Sequence, residues 1–182
     1  MRVKSRWNKK GKTHGVEEIA GALAFISWRV ATNGVLSMEN ADFSTETQQQ
    51  RLQIIAEFLA FTVHISDRMT IEKFDANERQ RFMTELAQKC AKHMEDNQRD
   101  IIGPGDYRQA FIDLLNQRMA DYADFNYSEQ DGPSFGMKRF FGDKVSQLFG
   151  DKDAKWVSSQ VIDIEVPEIL VHLQRSTPNL FM

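Results

Sequence analysis

Glu57 and His64 are the first residues whose types suggest chemistry, since carboxylates and imidazoles serve both acid–base catalysis and metal ligation. On a helix they lie two turns apart on one face, roughly 10 Å along the axis. That is too far for ordinary joint ligation of one ion. A di-iron bundle needs Glu-x-x-His on each of two helices, and the sequence contains no such motif. Cys90 and His93 are one turn apart and could share a metal or pair as nucleophile and base. Only two ligands are visible there, and His14, His64 and His172 are scattered. A buried cysteine ordinarily acts as a small hydrophobe, and a core histidine ordinarily has one hydrogen-bond partner. Arg118 falls among Tyr107, Phe111, Leu114 and Tyr122, so its guanidinium needs a carboxylate or carbonyl partner or must snorkel out, with Glu57 and Glu165 the candidate carboxylates. If a pocket exists there, an aromatic-lined arginine suits an anionic ligand.

The remaining constellations are weaker. Residues 1–14 hold Arg2, Lys4, Arg6, Lys9, Lys10 and Lys12 with no acid, and Trp7 among them. Such an arm could grip RNA phosphates, stack a base or meet an anionic lipid surface, although charged tails are often only solvating. Gly103-Pro104-Gly105-Asp106 lacks the lysine of a phosphate loop, and Asp106 would repel an anion. Glu168 and His172 read as a helix-surface pair. Serine–histidine–acid, Cys-x-x-Cys and dinucleotide signatures are missing from the sequence. No catalytic residue, resident metal or cofactor is therefore assigned. Glu57, His64, Cys90 and His93 remain the weak metal candidates.

The elements that must position these residues are helical. The 182 residues suit one domain, and the 41% apolar and 27% charged composition is that of a globular chain. Four prolines and few β-branched clusters favour helices. The net charge of −3 divides into +6 for residues 1–14 and −9 for the remainder. A lone cysteine excludes an intramolecular disulfide and suits a reducing compartment. Residues 19–26 resemble the apolar core of a signal peptide, but Glu17, Glu18 and Arg29 bracket them and no cleavage site follows. No run approaches the ~18 apolar residues of a membrane span.

Six or seven helices are predicted in an all-α, single-domain bundle over residues 15–176, between a mobile basic arm (1–14) and an apolar tail (177–182). The first starts after Gly15 and stops at Asn33-Gly34, or runs on toward Met38. The second covers 46–69, with Thr45 or Ser44 as cap. It is apolar around most of its circumference. Gln53, Glu57, His64, Asp67 and Arg68 form its one polar strip, which reads as solvent-facing. Asp75 and Glu78 box the third helix over 76–98, and Asp106 with Gln109 caps the fourth. Pro133 opens a fifth helix to Phe149. A sixth runs over 153–164, and Pro167 interrupts it and starts a seventh to Arg175. Short connections place the third to fifth helices antiparallel.

Two stretches carry a resemblance. Ser5-Arg6-Trp7-Asn8-Lys9-Lys10-Gly11-Lys12 leading into Val16-Glu17-Glu18-Ile19-Ala20-Gly21-Ala22-Leu23, with Val161-Ile162-Asp163-Ile164-Glu165-Val166-Pro167-Glu168, resembles a family of uncharacterised proteobacterial proteins. That resemblance implies a bacterial cytosolic setting and no assigned activity. The order helix, helix, Gly-x-Gly-Asp turn at Gly103 to Asp106, then a helix ending near Arg118 and Tyr122, is similar to the ubiquinol–cytochrome c reductase assembly chaperone domain over residues 51–125. The family's Val-Pro-Asp-Thr segment is missing and the last helix is shorter, so no binding residue carries over. What it implies is a class: a helical factor that holds a partner protein. The leading expectation is a non-enzymatic interaction or assembly protein of the bacterial cytoplasm. The alternatives are a metal- or cofactor-binding helical enzyme, and RNA or anionic-membrane binding through the arm.

Overall fold

A computed structural model describes residues 13–151 and 153–182. The basic arm residues Arg2, Lys4, Arg6, Trp7, Lys9, Lys10 and Lys12 lie outside them. The described chain is an all-α bundle: α1 (Val16–Asn40), α2 (Gln48–Thr70), α3 (Ala76–Ile101), α4 (Arg108–Ala123), α5 (Phe135–Ser146), α6 (Ala154–Gln160) and α7 (Val166–Ser176). Strand β1 (Tyr127–Ser128) pairs antiparallel with β2 (Gly132–Pro133), and this two-residue ladder is the only sheet among the described residues.

α2 is the axis. Every residue from Ile54 to Asp67 is buried, with α1, α3, α4 and α5 packed around it. A helix apolar over most of its circumference is stable only when neighbours cover that circumference. Phe58 and Phe61 extend from it to Phe141 of α5, the first edge-on at 5.0 Å and the second stacked at 4.2 Å. Against the sequence expectation that no run approaches a membrane span, α1 is long and apolar enough by length and composition to cross one. This is because its few polar residues between Ile19 and Leu36 are, Arg29 apart, small and uncharged. Half of its most apolar stretch is buried in the bundle.

Several boundaries differ from the sequence expectation. α1, though, takes the longer of its two expected courses and runs on past Met38 to Asn40, with Gly34 serving as a notch for a ring: a Cβ there would sit 2.5 Å from Cε1 of Phe58. Thr47, rather than Thr45 or Ser44, caps α2 by accepting from the Gln50 amide at 3.1 Å. Thr45 instead donates to Glu39. The Asp75–Glu78 capping box forms as expected. α4 starts without a side-chain cap, because Asp106 lies outside it and Tyr107 folds back to donate to the Gly103 carbonyl at 2.9 Å. Pro133 belongs to β2, where its missing N–H costs little, and Ser134 caps α5 by accepting from the Met137 amide. α5 ends at Ser146, and Phe149 lies beyond it, edge-on to Phe43.

Pro167 interrupts nothing. α6 runs into α7 through a π-turn (Val161–Glu165), so the chain stays helical from Ala154 to Ser176. A proline ring clashes with the carbonyl four residues back in a tight α-turn, and a widened turn relieves that clash. The final residues are docked onto the bundle. Leu180 joins the core and Phe181 packs on Phe74 at 5.4 Å.

Candidate functional site

The polar strip of α2 is an internal seam rather than a solvent-facing surface. Glu57, His64 and Asp67 are 5%, 2% and 4% exposed, and only Gln53 of the strip stands in water. A face left between wide apolar flanks is covered once those flanks find partners, so its charges need partners too. α4 and α3 supply them. Arg118 donates to both carboxylate oxygens of Glu57 at 2.8 and 2.7 Å and to Asp121 at 3.1 Å. Arg79, in the first turns of α3, grips Asp67 at 2.8 and 2.7 Å. These bidentate forks match a planar guanidinium to a carboxylate, a geometry that lysine cannot reproduce. Accepting from Arg118, Glu57 raises the arginine's pKa above its ordinary value. Along the same helix, Thr62, Ser66 and Thr70 each donate to the carbonyl four residues back, which satisfies three buried hydroxyls.

His64 is locked in the neutral state. Burial, aided by the nearby charge of Arg68, pushes its pKa down to about 4. Its Nε2 accepts from Arg68 Nε at 3.3 Å, while Nδ1 and the adjacent Tyr122 hydroxyl are sealed without a hydrogen-bond partner. The two rings sit 5.2 Å apart. Burial, with Glu57's negative charge behind it, holds the Tyr122 phenol well above its usual range. The seam is therefore an ion pair, a neutral imidazole and a protonated phenol wedged between α2 and α4. With both Glu57 oxygens occupied and His64 unable to gain a proton near neutrality, neither is free for acid–base work.

A cleft of about 330 Å³ opens beside Glu57, between α2, α3 and α4. Leu52, Met94 and Phe111 line it with the amides of Gln49, Gln53 and Gln98, while Arg118 and His64 do not reach it. Cys90 and His93 take separate environments. Cys90 is fully buried, and burial pushes its thiol far up, so no thiolate forms. His93 is half-buried with its ring stacked on Trp28 at 5.8 Å, so its neighbour is an indole rather than the expected core hydrogen bond. Among the described residues, no three metal-ligating side chains converge.

The structure joins Glu57 to Arg118, leaves His64 one step away through Tyr122, and separates Cys90 and His93 from all of them. Sequence reasoning missed the Asp67–Arg79 pair. The available signal was an acid on the same strip as Glu57, facing a neighbouring helix that carries Arg79 in its first turns. Elsewhere, α1 turns Phe25 and Leu36 outward at 53% and 48% exposure, with Arg29 and Thr32 on the same helical face. These features define an all-α bundle with a buried, internally neutralised polar seam. Compared with known proteins, the chain matches no family model, and it matches no curated protein and no solved structure significantly.

Proposed function

We propose that this chain is a non-enzymatic helical binding protein that holds a partner protein against the outward face of α1. One observation carries the reading: the ionisable groups that could do chemistry in the seam are spent on each other, while large apolar side chains stand outside. Phe25 and Leu36 lie eleven residues apart, three helical turns on one face. Trp28 is half-exposed beside them, and the Arg29 guanidinium lies over the Phe25 ring at 5.9 Å. Aromatic residues and arginine are the types that concentrate binding energy at protein interfaces. The likeness of residues 51–125, here α2 to α4, to an assembly chaperone domain suggests the same class. The bacterial cytoplasmic setting belongs to this proposal.

In this reading α1 is a core helix and not a membrane span. Inserting it into lipid would strip Leu23, Ala24, Ala31 and Val35, each at most 1% exposed, out of the bundle. The test is affinity capture with the full chain, the Phe25→Glu/Leu36→Glu variant and an Asp113→Lys control on the exposed side of α4. A discrete protein recovered by wild type and control, and reduced at least tenfold by the double variant, is the expected result. Recovery of nothing specific, or of the same proteins by all three, contradicts it.

A further inference from the structure

Four carboxylates are buried among the described residues: Glu57, Asp67, Glu95 and Glu165. Three of them hold arginine: Glu57 with Arg118, Asp67 with Arg79, and Glu95 with Arg99 and Arg108. Glu165 is 1% exposed and forms no ion pair with any described residue. It closes the π-turn, a distortion that often marks functional sites. Ser37 of α1 and Gln160 of α6 both donate to its Oε1 at 2.9 Å. Its Oε2 receives no hydrogen bond from a described residue, yet it is not among the side-chain atoms sealed without a partner. Glu165 lines a cleft of about 300 Å³ between α1 and α7, and this cleft is the space beside it in which a partner for the unbonded oxygen fits.

The other described walls select the occupant. Val30, Ile164 and Ile169 are apolar, Glu168 adds a second negative charge, and no lysine or arginine among the described residues lines the cleft. His172, exposed, is the one other titratable group there among the described residues. A desolvated carboxylate without a cation is costly, and a charge partner brought by a ligand removes that cost. The donor set disfavours a metal, since no three ligating side chains converge among the described residues. An ammonium on a short alkyl chain fits both the charge and the walls.

We propose that the cleft between α1 and α7 binds an organic cation, an alkylammonium group seated against Oε2 of Glu165 with its carbon chain along Val30, Ile164 and Ile169. The occupant is a free amine or a lysine side chain, which share this chemistry. Burial, with Glu168's charge adding to it, raises the Glu165 pKa. A bound ammonium favours the carboxylate. This site is independent of the outward face of α1.

The experiment is an amide NMR titration of the full chain with butylammonium, with Nα-acetyl-lysine methylamide, with butyrate and with magnesium chloride. Saturable shifts at Asn33, Ser37 and Ile164 are expected with either amine, and none with butyrate. Response to butylammonium alone assigns a free amine, and response to both admits a lysine side chain. Glu165→Gln weakens binding at least tenfold. Asn33→Trp, which narrows the mouth from α1 and leaves the carboxylate in place, does the same and keeps the test decisive if Glu165→Gln does not fold. Three results overturn the proposal: no saturable shift with either amine, unchanged affinity in both variants, or magnesium displacing butylammonium.

Discussion

At the scale of single residues, three of the four buried carboxylates among the described residues are neutralised by arginine. Glu57 and Arg118 are the clearest case, with side chains 7% and 12% exposed. Removing one partner strands a buried charge, whereas removing both leaves an apolar contact. Arg118→Ala is therefore expected to cost about 3–5 kcal/mol in urea unfolding. Glu57→Leu combined with Arg118→Met is expected to recover most of that loss; a double variant no more stable than Arg118→Ala would show that the pair is not the source. His64 gives a prediction in pH. Its pKa is 6.5 in the unfolded chain and about 4 in the fold. Across that window the unfolded chain binds the proton that the folded chain refuses, so His64's contribution is complete above pH 6.5 and declines as pH falls toward 4. The decline is on the order of 3 kcal/mol. His64→Gln should flatten this part of the stability curve relative to wild type, and parallel curves would contradict the burial of a neutral imidazole. Glu165 acts oppositely, because its raised pKa makes stability fall as pH rises through it. The difference between the His64→Gln and wild-type curves cancels that contribution. That Arg118 needs a partner was legible in the sequence, with Glu57 and Glu165 as candidates, and only the packing of α4 on α2 selects Glu57. Burial of the strip was not, because periodicity shows which face is apolar but not how many neighbours cover the rest.

At the scale of elements, helix existence and type follow from pattern, while the ends depend on tertiary contacts. α3 is the most legible, because its capping box and apolar stripe are both local. Asn33-Gly34 leaves two courses open because glycine serves two purposes: it stops helices, and it lets something approach closely. Only Phe58, twenty-four residues downstream, decides between them. This gives a paired prediction within one helix. Gly21 has nothing within 4 Å of a built Cβ, so Gly21→Ala should stabilise by about 0.5–1 kcal/mol through propensity. Gly34→Ala gains the same propensity but drives a methyl into Phe58, and overpacking of about 1–3 kcal/mol makes it neutral or destabilising. Thermal unfolding of the two variants checks this, and equal stabilisation of both would show that Phe58 moves away freely. Pro167 misleads for a related reason. A proline ends an ideal α-helix, yet a π-turn lets the chain continue, and that accommodation leaves no mark in hydrophobic spacing.

At the scale of the whole molecule, α2 is a shared core around which the other helices take turns covering one circumference. The all-α class was readable from composition and periodicity, because both are summed over many residues and tolerate local error. The outward apolar face of α1 was not, because an outward apolar residue has the same identity as an inward one. The proposed function rests on the outward face of α1 holding a partner while the ionisable groups of the seam pair inside. Photo-cross-linking from single positions in the full chain, in native lysate, tests it most directly. A benzoylphenylalanine placed at Phe25 or at Leu36 is expected to yield one adduct of the same added mass, and at Asp113 none. Adducts of unrelated masses, the same adduct from Asp113, or no adduct from any position would contradict the account.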